Sequence, residues 1–89
     1  MPRQKAVSAQ EQQNREFLAA LAAGQVRRGE RDLDTARLLP NCKSTYYQRK
    51  REPGRFTVCD LRIMAQQYQF TDYQICQIIG VEYHGGSHA

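Results

Sequence analysis

Residues 34–51 read DTARLLPNCKSTYYQRKR, and the fold turns on them. Asp32 or Asp34 can cap a short helix over residues 32–39, with Leu33, Ala36 and Leu39 on its inner face. Pro40 stops that helix, because the residue before a proline is pushed out of the helical region. Leu39, Pro40 and Asn41 then form a connection of about three residues, after which another helix must start almost at once. This helix covers residues 43–51, until Glu52-Pro53-Gly54 ends it, and it has almost no apolar face. Tyr46 is its one obvious inward anchor. So short and polar a helix is not held by intrinsic propensity, so its neighbours must clamp it while its polar side stays free.

On the N-terminal side, Ser8-Ala9-Gln10-Glu11 is a capping box, which predicts a helix over residues 8–23 with Gly24 or Gly29 marking its end. Phe17, Leu18, Leu21 and Ala22 give it an apolar stripe, and Gln12, Gln13, Arg15 and Glu16 take the solvent side. On the C-terminal side, Thr57-Val58-Cys59-Asp60 repeats the capping signature before Val58, Leu61, Met64, Ala65 and Tyr68, predicting a core helix over residues 57–69. Thr71-Asp72-Tyr73-Gln74 does so again ahead of Ile75, Ile78 and Ile79, predicting a last helix over residues 72–79 with Gly80 as its C-cap. The expected fold is all-α, a compact five-helix bundle over residues 8–82. Residues 1–7 and 83–89 are expected to be flexible ends, the latter because Gly85-Gly86-Ser87 disfavours regular structure.

The chain of 89 residues is 40% hydrophobic and 25% charged, near the average for folded domains, and is short enough to hold one modest core. No apolar run approaches the roughly 18 residues that span a bilayer, and residues 1–13 are polar where a signal peptide is apolar, so a cytoplasmic protein without membrane association is expected. Cys42, Cys59 and Cys76 have neither the number nor the spacing of a disulfide framework or a zinc site, which predicts reduced structural thiols. His84 and His88 are four apart, but the intervening glycines oppose the helix that would bring them together. No metal or other cofactor is expected. No acid–base pair, nucleophile constellation or phosphate-binding glycine loop is present, which argues against an enzyme with a small-molecule substrate.

The formal net charge of +4 is unevenly placed. Arg27, Arg28, Arg31, Arg37, Lys43, Arg49, Lys50, Arg51 and Arg55 face only Glu30, Asp32, Asp34 and Glu52 within residues 27–55, so the whole positive excess lies in the central segment. That distribution suits a polyanion-binding face. The order of a short capped helix, a tight turn and a polar basic helix is the helix-turn-helix layout, and the DNA major groove, about 12 Å wide, admits one such helix.

Asp34-Thr35-Ala36-Arg37-Leu38-Leu39, Lys43-Ser44-Thr45-Tyr46-Tyr47-Gln48-Arg49, Pro53-Gly54-Arg55-Phe56-Thr57 and Asp60-Leu61 together resemble the Cro and phage-repressor (XRE-like) helix-turn-helix domains, in their small phage or prophage versions. The resemblance spans about residues 17–80. It implies that Ala36 is the small residue where the two helices cross, that Tyr46 anchors the recognition helix, and that the helix after Thr57 buttresses the pair. By the same resemblance Lys43, Ser44, Tyr47 and Gln48 match base-reading positions, and Thr45, Arg49, Lys50 and Arg51 match positions that touch or support the DNA backbone. The chain departs from the family pattern in the turn, where Pro40 and Asn41 replace a glycine and an apolar residue. It departs again at Cys42, where the family has a serine or threonine cap, which leaves Asn41 as an alternative cap.

Contact chemistry follows from these positions. Lysine can donate to guanine, glutamine can pair two-fold with adenine, and Tyr47, turned about 100 degrees from Tyr46, can reach a sugar or a thymine methyl. Arg49, Lys50, Arg51 and Arg55 are expected to neutralise phosphates of double-stranded DNA. The expected protein is a DNA-binding transcriptional regulator acting as a homodimer on a palindromic site, with the last helix and the segment to Tyr83 as dimer surface. The competing expectation is a helix-turn-helix-like module that binds protein and not DNA, since fold does not establish function. RNA binding ranks third, because the aromatics form no exposed platform.

Overall fold

Ser8 opens the first helix as its N-cap, with its hydroxyl accepting from Glu11 N and the Glu11 carboxylate accepting from Ser8 N, both at 3.1 Å. In the computed structural model, which describes residues 8–83, helix α1 then runs over Ala9–Arg28. It passes straight through Gly24 and ends at Gly29, whose φ of 66° is left-handed and suits a residue without Cβ. Of the two expected stops, Gly29 is the one used, so the range 8–23 ended too early. Gly24 is instead the flat spot where α1 meets Tyr68, whose Cβ would overlap any Cβ placed at Gly24.

Helix α2 is Asp32–Leu38, α3 is Lys43–Arg51, and a single 3-10 turn follows at Pro53–Arg55. Helix α4 is Val58–Tyr68 and α5 is Asp72–Ile79, entered through complete capping boxes at Thr57 and Thr71. All five expected helices are present, and no strand occurs among the described residues. The cap of α2 differs from expectation: Arg31 is the N-cap, and Asp34 accepts from its backbone N at 2.9 Å. Cys42, not Asn41, occupies the N-cap position of α3.

The core consists of Phe17, Ala20 and Leu21 from α1, Ala36 and Leu39 around α2, Tyr46 from α3, Met64 and Tyr68 from α4, and Phe70. Aromatic rings form a spine through it, from Phe70 to Phe17, Phe56 and Tyr46, with neighbouring centroids 5.2–6.3 Å apart. Ala22, Leu33 and Val58, expected inside, face solvent, and Thr35 takes the inward position on α2. The expected flexible ends, residues 1–7 and most of 83–89, lie outside the described residues, as do His84 and His88. No helix among the described residues is long and apolar enough to cross a membrane.

Candidate nucleic-acid interface

Leu39 is the hinge between α2 and α3: it is extended, with ψ of 152° as its place before Pro40 requires, and its side chain is buried at 5% exposure. Four residues, Leu39 to Cys42, thus separate the two helices. Helix α3 packs chiefly on α2 and the 3-10 turn. Tyr46 fills the space beneath it at 1% exposure, against Phe56.

Two carboxylates fix the orientation of α3. The Asp60 side chain has no solvent exposure, and it accepts from Arg49 Nη1 at 2.7 Å, from Asn41 Nδ2 at 3.3 Å and from Thr57 N at 3.3 Å. One carboxylate therefore joins α3, the turn and the start of α4. Asp32 accepts from Tyr46 Oη at 2.8 Å, Lys50 Nζ at 2.8 and 2.9 Å, and Gln25 Nε2 at 3.1 Å, joining α1, α2 and α3. Partial burial raises the Asp32 pKa, but hydrogen bonds from Lys50, Tyr46 and Gln25 outweigh it and hold the group below its ordinary value. Burial pushes the Tyr46 phenol far upward, and Asp32 adds to the effect.

A second polar network lies behind α2. Gln25 Nε2 donates to Thr35 Oγ1 at 2.9 Å, Thr35 meets the Tyr68 hydroxyl, and Tyr68 donates to Glu30 Oε1 at 2.8 Å. Each hydroxyl in this relay has one donor and one acceptor role, and no buried side-chain N or O among the described residues lacks a partner. Burial, with Glu30 beside it, pushes the Tyr68 phenol up to about 12.

The sequence-derived site residues divide by face. Lys43, Ser44, Tyr47, Gln48 and Arg51 are exposed on α3, and Arg55 is exposed on the 3-10 turn. The Tyr47 ring leans edge-on against Tyr46 at 5.2 Å and keeps 39% exposure, so its direction is set by the core. Thr45 is half-buried. Arg49 and Lys50 point inward to Asp60 and Asp32, whereas the Arg55 partner, Glu52 at 2.6 Å, is itself exposed. Arg51 and Lys43 form no ion pair among the described residues.

Sequence reasoning missed the two positioning carboxylates, Asp32 and Asp60, and assigned both to capping. A signal was available: residues three and four apart share a helix face, so an inward Tyr46 carries Arg49 and Lys50 inward with it and demands acidic partners. Arg37, counted in the basic segment but given no role there, flanks a shallow recess with Lys43 at the leading end of α3.

All three cysteines are free, and Cys42 and Cys59 are exposed, so neither is the packed structural thiol expected. The Cys42 Sγ lies 3.3 Å from Ser44 Oγ and 3.1 Å from Thr45 Oγ1. Hydrogen bonds from Ser44 and then Thr45 bring its thiol down to about 7. Among the described residues no cluster of three or more His, Cys, Asp or Glu could hold a metal ion. No family model matches the chain, and neither a curated protein nor a solved structure does.

Proposed function

We propose that the chain is a sequence-specific duplex-DNA-binding regulator that lays α3 in the major groove. The observation that carries this is the two-sided character of α3. Its inner side is fixed to Asp32 and Asp60 through Tyr46, Arg49 and Lys50. Its outer side exposes Lys43, Ser44, Tyr47, Gln48 and Arg51, with no acidic and no aliphatic residue among them. A helix that presents short polar and long basic side chains from a fixed pose suits base-edge readout.

In this scheme Lys43, Ser44, Tyr47 and Gln48 face the bases, Arg51 and Arg55 meet phosphates with Thr45 beside them, and Arg49 and Lys50 position the helix. A homodimer on a palindromic site is part of the proposal, with Tyr73 and Ile79 on α5 and Val81 and Tyr83 after it as exposed apolar side chains. Retention of a random duplex pool at about 50 and 200 mM salt, with recovered sequences read out, is the test. Enrichment of one motif with steep salt dependence supports sequence-specific binding. No retention at the lower salt refutes it and favours the protein-binding alternative.

A further inference from the structure

Gln10 and Asn14 stand on the first turns of α1, on the side that faces the far end of α3. Among the described residues, hydrogen bonds at this end of α1 run between Ser8 and Glu11 and between Gln12 and Glu16, and they leave out both carboxamides. Together with Arg51, Glu52, Gly54 and Arg55 they line an open recess of about 520 Å³. Gly54 is part of its lining, close enough that a Cβ there would lie 3.6 Å from Gln10 Nε2. A shallower recess lined by Gln48, Arg51, Glu52 and Arg55 adjoins it through three shared residues. The path therefore runs unbroken from Gln48 to α1.

We propose that this recess is a phosphate clamp: it holds one phosphodiester of the DNA strand that borders the groove entered by α3, with Arg51 and Arg55 supplying charge and Gln10 and Asn14 supplying amide donors. The proposal rests on the DNA-binding function above and extends the contact surface onto α1, which the helix-turn-helix itself does not include. Two guanidinium groups and two carboxamides are the donor types that grip phosphate oxygens, and amides do so without reading sequence. Among the described residues Arg51 has no ion pair to give up, and Arg55 exchanges only an exposed contact with Glu52, of a kind that contributes little. The Glu52 carboxylate then lies beside the bound phosphate and opposes it.

The opposition of Glu52 makes the test two-sided. Binding of the full chain to a fluorescent mixed-sequence duplex of about 30 bp is measured across a salt series. Gln10→Ala and Asn14→Ala are expected to weaken binding about three- to tenfold each, equally for all sequences and with an unchanged salt slope. Arg51→Gln is expected to lower the slope by about one unit. Glu52→Gln is expected to tighten binding, while Glu16→Gln, which lines neither recess, leaves it unchanged. Unaltered affinity in both amide variants, with Gln48→Ala still shifting base preference, overturns the clamp and leaves the DNA-binding function standing. Failure of the parent chain to bind any duplex overturns both.

Discussion

Arg49 Nη1 lies 2.7 Å from Asp60 Oδ2, and the carboxylate it meets is wholly removed from solvent while the guanidinium side chain keeps 24% exposure. A pair of this kind is unequal. Removing the acid takes the shared acceptor from Arg49, Asn41 and Thr57 N at once, whereas removing the base leaves Asp60 with Asn41 and Thr57 N. Asp60→Ala is expected to cost about 3–5 kcal/mol, against about 5–15 kcal/mol for a whole small domain, and chemical denaturation measures it. Arg49→Ala is expected to lower the denaturation midpoint and to leave the salt slope of DNA binding as it was. A reduced slope would make Arg49 a phosphate contact.

Acid should loosen α3 through Asp32. Its folded pKa is depressed, so its contribution is fully present above the ordinary value of 3.8 and is lost as pH falls through the lower folded value. The difference in Tm between the parent and Asp32→Asn should be large at neutral pH and shrink below pH 3.8. Glu30, depressed first by its hydrogen bond from Tyr68, loses its contribution in the same direction and drops out of that difference. A gap in Tm that is constant across pH would count against this role.

Tyr46→Phe removes one hydroxyl that donates to Asp32 at 2.8 Å while preserving the ring that packs on Phe56. The expected loss is about 1 kcal/mol, because Asp32 retains Lys50 and Gln25. Tyr46→Ala, which empties the core beneath α3, should cost about 3–5 kcal/mol. Equilibrium denaturation of both variants separates hydrogen bond from volume.

Gly24→Ala improves intrinsic helix propensity by about 1 kcal/mol yet should destabilise the protein. The added methyl overlaps Tyr68 Cβ, a backbone-tethered atom that cannot swing aside, so α1 and α4 must part. Thermal unfolding should show a lower Tm, whereas a rise would mean that the α1–α4 contact yields freely.

Cys42 should be alkylated with a rate that climbs as pH passes about 7, since the thiolate is the nucleophile and its hydrogen bonds from Ser44 and Thr45 favour that form. Iodoacetamide labelling read by peptide mass spectrometry follows the three cysteines separately. In a Ser44→Ala, Thr45→Val double variant the midpoint should move toward the ordinary thiol value of 9.0.

The helices were legible because their ends announce themselves. Ser8, Thr57 and Thr71 each sit three residues before an acid or amide that closes a capping box, and Pro40 and Gly80 stop what precedes them. Periodicity served less well where a side chain's environment comes from distant segments. Gly24 looked like a stop because glycine weakens helices, and only the approach of Tyr68, 44 residues on, shows why it belongs inside one. Thr35 is buried because Gln25 and Tyr68 supply its hydrogen bonds, which no local pattern encodes. At the candidate interface, the exposed set of Lys43, Ser44, Tyr47 and Gln48 followed from the resemblance and from helix geometry alone. The inward turn of Arg49 and Lys50 was signalled only by their spacing from Tyr46, and a basic run otherwise reads as surface until its acidic partners are located.

The most extensive interface of α1 is with α5, not with the helices that follow it directly. In a chain synthesised from residue 1 onward, residues 9–28 emerge early and wait for residues 72–79 before their apolar side is covered. Phe17 likewise waits for Phe56 and Phe70. The native covering of α1 is therefore completed late in synthesis. The nascent chain stays an incomplete bundle until its fifth helix is released.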